Sequence, residues 1–155
     1  MRKSTIFFAL SMMAASPAVA GPAEDATAVV TSVLDRFNAG DIDAFFKAHQ
    51  PGALIVDEFT PYVWGGPNSA QRWASDYSKD SEAKGISGGR VDYARPIQAS
   101  TNGTSAYIVL PTTYRFTQRA KKMAAKGSMT FVMTRVSAEW KIMSWTYAGA
   151  TPSPE

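Results

Sequence analysis

The sequence predicts an α+β fold in which three N-terminal helices pack on a strongly curved antiparallel sheet, and three observations lead there. Apolar residues recur at helical spacing over the first third of the chain, strict alternation replaces that period from Gly88 onward, and turn residues punctuate the alternating part at intervals. Helices set ahead of a meander of strands bury their stripes against one face of the sheet, which then curls around them.

The first helix is marked by Ala26, Val29, Val30, Val33, Leu34 and Phe37, with Glu24 and Asp25 at its start, where the helix dipole favours acids. Gly40 ends it. Asp41 caps a short second helix through Ile42, Phe45 and Phe46, which Pro51 and Gly52 stop. An apolar strand, Ala53 to Phe59, follows. Pro61 and Gly65-Gly66-Pro67 break the chain, and Asn68 with Gln71 has the spacing of a capping box for a third helix with the stripe Ala70, Trp73, Ala74 and Tyr77. Four strands are expected beyond it: Arg90 to Ala99, Ser105 to Thr117, Ser128 to Val136 and Trp140 to Tyr147. Thr101-Asn102-Gly103 makes the first turn, and the polar stretch Gln118 to Lys126 makes a long hairpin tip. Pro111 cannot donate a ladder hydrogen bond, which suggests an edge position or a bulge for the second of these strands.

Residues 1–20 have the order of a signal peptide: basic Arg2 and Lys3, an apolar stretch Ile6 to Ala15, and a small-residue site at Ala18-Val19-Ala20. The expectation is a periplasmic or secreted protein without an integral membrane anchor. Residues 21–150 then form one domain and residues 151–155 a disordered tail. There is no cysteine, so disulfides, thiolate chemistry and cysteine metal sites are excluded, and neither a metal nor a cofactor is expected. Without residues 1–20 the chain carries 14 basic and 13 acidic residues, so bulk charge points to no partner and nucleic acid is not expected. Its distribution is uneven. Residues 21–100 sum to −4 and residues 101–155 to +5, the latter including the basic hairpin 115–126, which serves best as lysine protection of a sheet edge.

Asp57 and Glu58 interrupt the apolar run of the first strand. Neighbours on a strand face opposite ways, so one of the two acids must lie on the core or cavity side, where an isolated carboxylate needs donors, a proton or a solvated pocket. For the same reason Glu58 is expected to point away from Asp57, which disfavours a two-carboxylate glycosidase arrangement. Tyr62 and Trp64 flank the glycine- and proline-rich break, and Trp73 and Tyr77 share a helical stripe. These four are the candidate ligand-binding aromatics beside Asp57, with core packing the plainer role for the last two. The single histidine, His49, has no second imidazole for a metal. It fits a helix-terminal cap, where the dipole favours its protonated form. Met123, Met129, Met133 and Met143 suggest adaptable packing.

The element order, the link Asn38-Ala39-Gly40-Asp41-Ile42-Asp43 and the final strand from Trp140-Lys141-Ile142 resemble the nuclear transport factor 2-like (NTF2-like) superfamily in its SnoaL-like and ketosteroid-isomerase-like branch. Ile55-Val56-Asp57-Glu58-Phe59 with Pro61, Trp64, Arg72 and Trp73 resembles a group of secreted bacterial members. The resemblance implies a cone with a pocket at its wide end, and places Asp57 at the position of the isomerase general base. It also places the isomerase oxyanion donors, a tyrosine and a protonated aspartate, at Val33 and near Thr130, so both donors are lost here. The resulting expectation is an exported domain that binds a small apolar or aromatic molecule. An isomerase, cyclase or dehydratase using Asp57 as general base is one alternative. The other is a homodimeric interaction module packing through a sheet face with Tyr107, Val109, Met133 and Trp145.

Overall fold

The computed structural model describes residues 21–155, so the signal-peptide expectation lies outside the described residues. Helices α1 (Pro22–Asn38) and α2 (Ile42–Ala48) precede β1 (His49–Val56) and β2 (Val63–Trp64). Helix α3 (Ser69–Lys84) leads into β3 (Ile86–Tyr93), β4 (Gln98–Thr101), β5 (Ser105–Gln118), β6 (Lys121–Val136), β7 (Glu139–Gly149) and β8 (Ser153–Pro154). No helix among the described residues is long and apolar enough to cross a membrane.

The strands form one sheet in the order β2-β1-β7-β6-β5-β3, with β4 also on β5 and β8 also on β6. Its ends do not meet. The sheet is mixed rather than wholly antiparallel, because β1 runs parallel to β7. Alternation decides which face is inside: Ala106, Ile108, Leu110 and Phe116 of β5, with Met129, Phe131 and Met133 of β6, are all buried. All of these but Phe116 join Val30, Val33, Leu34, Phe45 and Trp73 from the three helices in one core cluster.

The link between the first two helices has a clear physical role. Asp41 accepts a hydrogen bond from the Ala44 amide at 3.1 Å and caps α2, while Gly40 takes φ +77. The Asn38 side chain acts as a substitute strand partner, donating to the Val91 carbonyl and accepting from the Val91 amide, both at 2.8 Å. The end of α1 is thereby tied to β3.

Several expectations are corrected. The hairpin tip is only Arg119 and Ala120, both at positive φ, because β5 and β6 stay paired out to Gln118 and Lys121. The first expected strand is two, β3 and β4, split around Pro96. Pro111 lies on β5 opposite that split, where its carbonyl accepts from Ala94 and its missing N–H leaves no partner unpaired. Asn68 makes no side-chain cap for α3 and instead adopts the left-handed conformation that asparagine tolerates. Residues 151–155 are not a disordered tail: Ser153 and Pro154 pair with Ala124 and Met123, and the Glu155 amide donates to the Lys122 carbonyl at 3.1 Å. Met133 and Trp145 face the core, so the outer sheet face is carried by exposed Tyr107, Leu54 and Val63 rather than by those two.

Candidate functional site

Between the helices and the inner face of the sheet lies a hollow of about 470 Å³. Phe37 and Phe45 of the first two helices, Trp73 and Tyr77 of α3, Tyr114 of β5, Met129 of β6, and Trp145 and Tyr147 of β7 line it, together with Asp57 and Glu58. Its exposed rim includes Lys84, Ala150 and Pro152.

Asp57 reaches the hollow because β1 ends one residue before it. The Asp57 amide bonds back to the Tyr62 carbonyl at 3.0 Å, closing a turn over Glu58 to Pro61. Strand alternation therefore stops at Val56, and Glu58 is not turned away as expected: both carboxylates line the same hollow. Asp57 accepts from the Trp73 indole N–H at 2.9 Å and from the Glu58 amide at 2.7 Å. Glu58 accepts from the Gly149 amide at 2.5 Å, which ties the turn to the end of β7. Burial pushes the Asp57 carboxyl above the ordinary carboxylate range, the Trp73 and Glu58 donors oppose that rise, and the negative charges of Glu58 and Asp80 add to it.

Three phenol hydroxyls share the hollow. Those of Tyr77 and Tyr114 are bonded to each other at 2.7 Å, and burial raises the pKa of each. The Tyr147 hydroxyl is buried without a hydrogen-bond partner, and burial pushes its pKa up to about 12, so it remains a neutral donor. Glycines make room for all three. A Cβ on Gly89 would lie 2.4 Å from the Tyr77 oxygen and 2.6 Å from the Tyr114 oxygen, and one on Gly149 would lie 2.4 Å from the Tyr147 oxygen. Gly89→Ala should therefore part the paired hydroxyls and cost about 1–3 kcal/mol, read as a lower denaturation midpoint and a shift in tyrosine absorbance. An unchanged midpoint and spectrum would show that the pair is loosely held.

Of the residues singled out from sequence, the structure gathers Asp57, Trp73 and Tyr77 and leaves the other two outside. Tyr62 is 55 % exposed at the turn. Trp64 is 1 % exposed, packs on Phe59 with ring centres 4.9 Å apart and donates its indole N–H to Asp76 at 3.0 Å, a core role. Arg72 does not reach Asp57 and donates instead to the Gly65 carbonyl. Neither Val33 nor Thr130 lines the hollow. Tyr114 and Tyr147 escaped the sequence reading. For Tyr114 a signal existed, since it continues the alternating set Ala106, Ile108, Leu110 and Thr112.

His49 is a cap, but not a charged one. One ring nitrogen donates to the Phe45 carbonyl at 2.8 Å and the other accepts from the Trp145 indole N–H at 3.0 Å. Burial lowers its pKa to about 4, outweighing the helix dipole and the Phe45 carbonyl.

Comparison with known proteins agrees with this geometry. None of the curated proteins matches the chain in sequence. Among solved structures the chain is similar to a hexachlorocyclohexane dehydrochlorinase, LinA type 3, from Novosphingobium barchaimii, with a TM-score of 0.71 at 8 % identity over 84 % of this chain and 88 % of that one. It is similar to a CaMKII hub from S. rosetta, TM-score 0.66 at 18 % identity over 85 % and 99 % of the two chains. An NTF2-like superfamily protein from Salmonella enterica serovar Typhimurium gives a TM-score of 0.67 at 14 % identity over 83 % and 91 %. At these identities the likeness speaks for the NTF2-like fold alone, one shared by an enzyme and an assembly hub. The family model of the SnoaL-like domain matches residues 26–148, from the second turn of α1 to the penultimate residue of β7, and the chain belongs to that family.

Proposed function

We propose that the hollow binds a small, largely apolar or aromatic molecule that carries one polar group. The observation that carries this reading is the buried, unpartnered Tyr147 hydroxyl in a hollow of about 470 Å³ that also holds the Asp57 carboxylate. A buried hydroxyl without a partner costs about 1–3 kcal/mol, which a polar ligand group, or a water held beside it, would recover. Aromatic and methionine walls supply the apolar contact, and the volume suits a molecule of one or two rings. The basic, apolar and small-residue order of residues 1–20 supports a periplasmic or secreted setting for this binding.

A second reading, proton transfer by Asp57, is favoured by its upward-shifted carboxyl, which is a stronger base than an exposed aspartate. Both readings are tested by Asp57→Asn. Removing a charge that burial disfavours should leave the melting temperature at pH 7 unchanged or higher, while weakening whatever copurifies in the hollow, read by native mass spectrometry. A melting temperature lowered by several degrees, with the copurifying molecule retained, would make Asp57 a structural carboxylate and end the proton-transfer reading, and a wild-type protein that takes up no small apolar molecule would end the first.

A further inference from the structure

We propose that the ligand of this hollow is an organic cation, an amine or quaternary ammonium with an apolar body, held between the Asp57 and Glu58 carboxylates and the aromatic rings around them. This rests on the reading of the hollow as a binding site and names the charge of its occupant.

Besides the tyrosines, the hollow is lined by four ionisable side chains, those of Asp57, Glu58, Asp80 and Lys84. Lys84 and Asp80 lie 2.7 Å apart and neutralise each other. That leaves Asp57 and Glu58, adjacent in the chain, with no lining cation of their own; the donors they have are the indole of Trp73 and two backbone amides. The three tyrosines stay neutral because burial raises each of them. An anionic occupant would add to the repulsion between the two carboxylates, and a neutral one would leave that repulsion in place with less water to screen it. A cation removes it.

The walls point the same way. Trp73 has its ring centre 5.3 Å from Phe45, 5.3 Å from Tyr77 and 5.1 Å from Trp145, and Phe37 lies 5.9 Å from Trp73 and 6.0 Å from Tyr77. Rings clustered at this spacing beside a carboxylate provide the negative π-electron density that attracts ammonium groups, and quaternary ammonium recognition is the best-known use of such clusters. An ammonium with methyl substituents is poorly hydrated and enters an apolar wall at lower desolvation cost than a primary amine.

The test compares three probes of one size on the wild-type protein at pH 7.5: benzyltrimethylammonium, its carbon isostere neopentylbenzene, and 3-phenylpropanoate, with binding followed through Trp73 and Trp145 fluorescence. The cation should bind at least about tenfold more tightly than the isostere, and the propanoate most weakly. The preference should shrink as pH falls through the range in which Asp57 takes up its proton, over a span where far-UV circular dichroism shows the fold intact. Asp57→Asn should bring cation and isostere to within about threefold of each other. Should that variant not fold, Glu58→Gln and the wild-type pH titration carry the same comparison. Equal or tighter binding of neopentylbenzene, or a preference that ignores pH, would overturn the cation assignment and leave the binding hollow standing. Absence of binding by all three probes at millimolar concentration would overturn both.

Discussion

Replacing Trp73 by alanine should lower the free energy of unfolding by about 3–5 kcal/mol, measured by urea denaturation followed by circular dichroism. The ring is 5 % exposed and sits where α3 meets the sheet, stacked on Tyr77 and edge-on to Trp145. Alanine leaves a void continuous with the existing hollow, so neighbouring side chains gain little by collapsing into it. The same change strips Asp57 of its indole donor. Trp73→Phe separates the two effects: most of the packing stays, the hydrogen bond goes, and the loss should be about 1–3 kcal/mol. In that variant the Asp57 carboxyl should titrate at a still higher pH, because the largest force opposing burial has been removed. Carboxyl chemical shifts followed against pH would show it. If alanine cost less than about 1 kcal/mol, the packing of α3 on the sheet through this ring would be refuted.

Acid should weaken the protein through His49 before most carboxylates titrate. The folded state holds this ring neutral with a pKa of about 4, against 6.5 when it is free. Between those values the unfolded chain binds a proton that the folded chain refuses, so the stabilisation is complete above pH 6.5 and is lost as pH falls through about 4. By linkage the loss at pH 4 is about 3 kcal/mol relative to pH 7. His49→Gln offers an uncharged donor and acceptor at the same place. Its difference in stability from the wild type should thus change by that amount across the range, seen in parallel denaturation series at pH 7 and pH 4. Parallel curves at the two pH values would mean that His49 opens to water in the fold.

Much of the architecture could be read in the residues because local patterns and burial agree. The stripe from Ala26 to Phe37, the Asp41 cap and the alternation in β5 each describe a surface with only one apolar side. The site was harder to read because its members meet through tertiary geometry. Asp57 was visible as a polar residue in an apolar run, but its direction depended on where β1 stopped, and the turn closed by Tyr62 ended the strand at Val56, one residue before it and three before the expected end. Trp64 and Tyr62 sat in a sequence context that suited a pocket mouth, yet Asp76 and Phe59 claimed the first and water the second. His49 was misread because a helix end that would be exposed in isolation is covered by Trp145, which lies nearly a hundred residues away in the chain.

The last long strand carries one residue more than its neighbour. Val132 faces Ser144 and Met133 faces Ile142, so Met143 is an extra residue in β7, and the bulge it forms keeps Trp140 and Ile142 on the same side as Trp145 and Tyr147 although Ile142 and Trp145 are three positions apart. The inward set of the last strand is accordingly kept by a local kink that takes up the odd residue. Shortening the strand by that one methionine would close the bulge and restore plain alternation, with Ile142, Trp145 and Tyr147 all still facing inward opposite Met133, Phe131 and Met129.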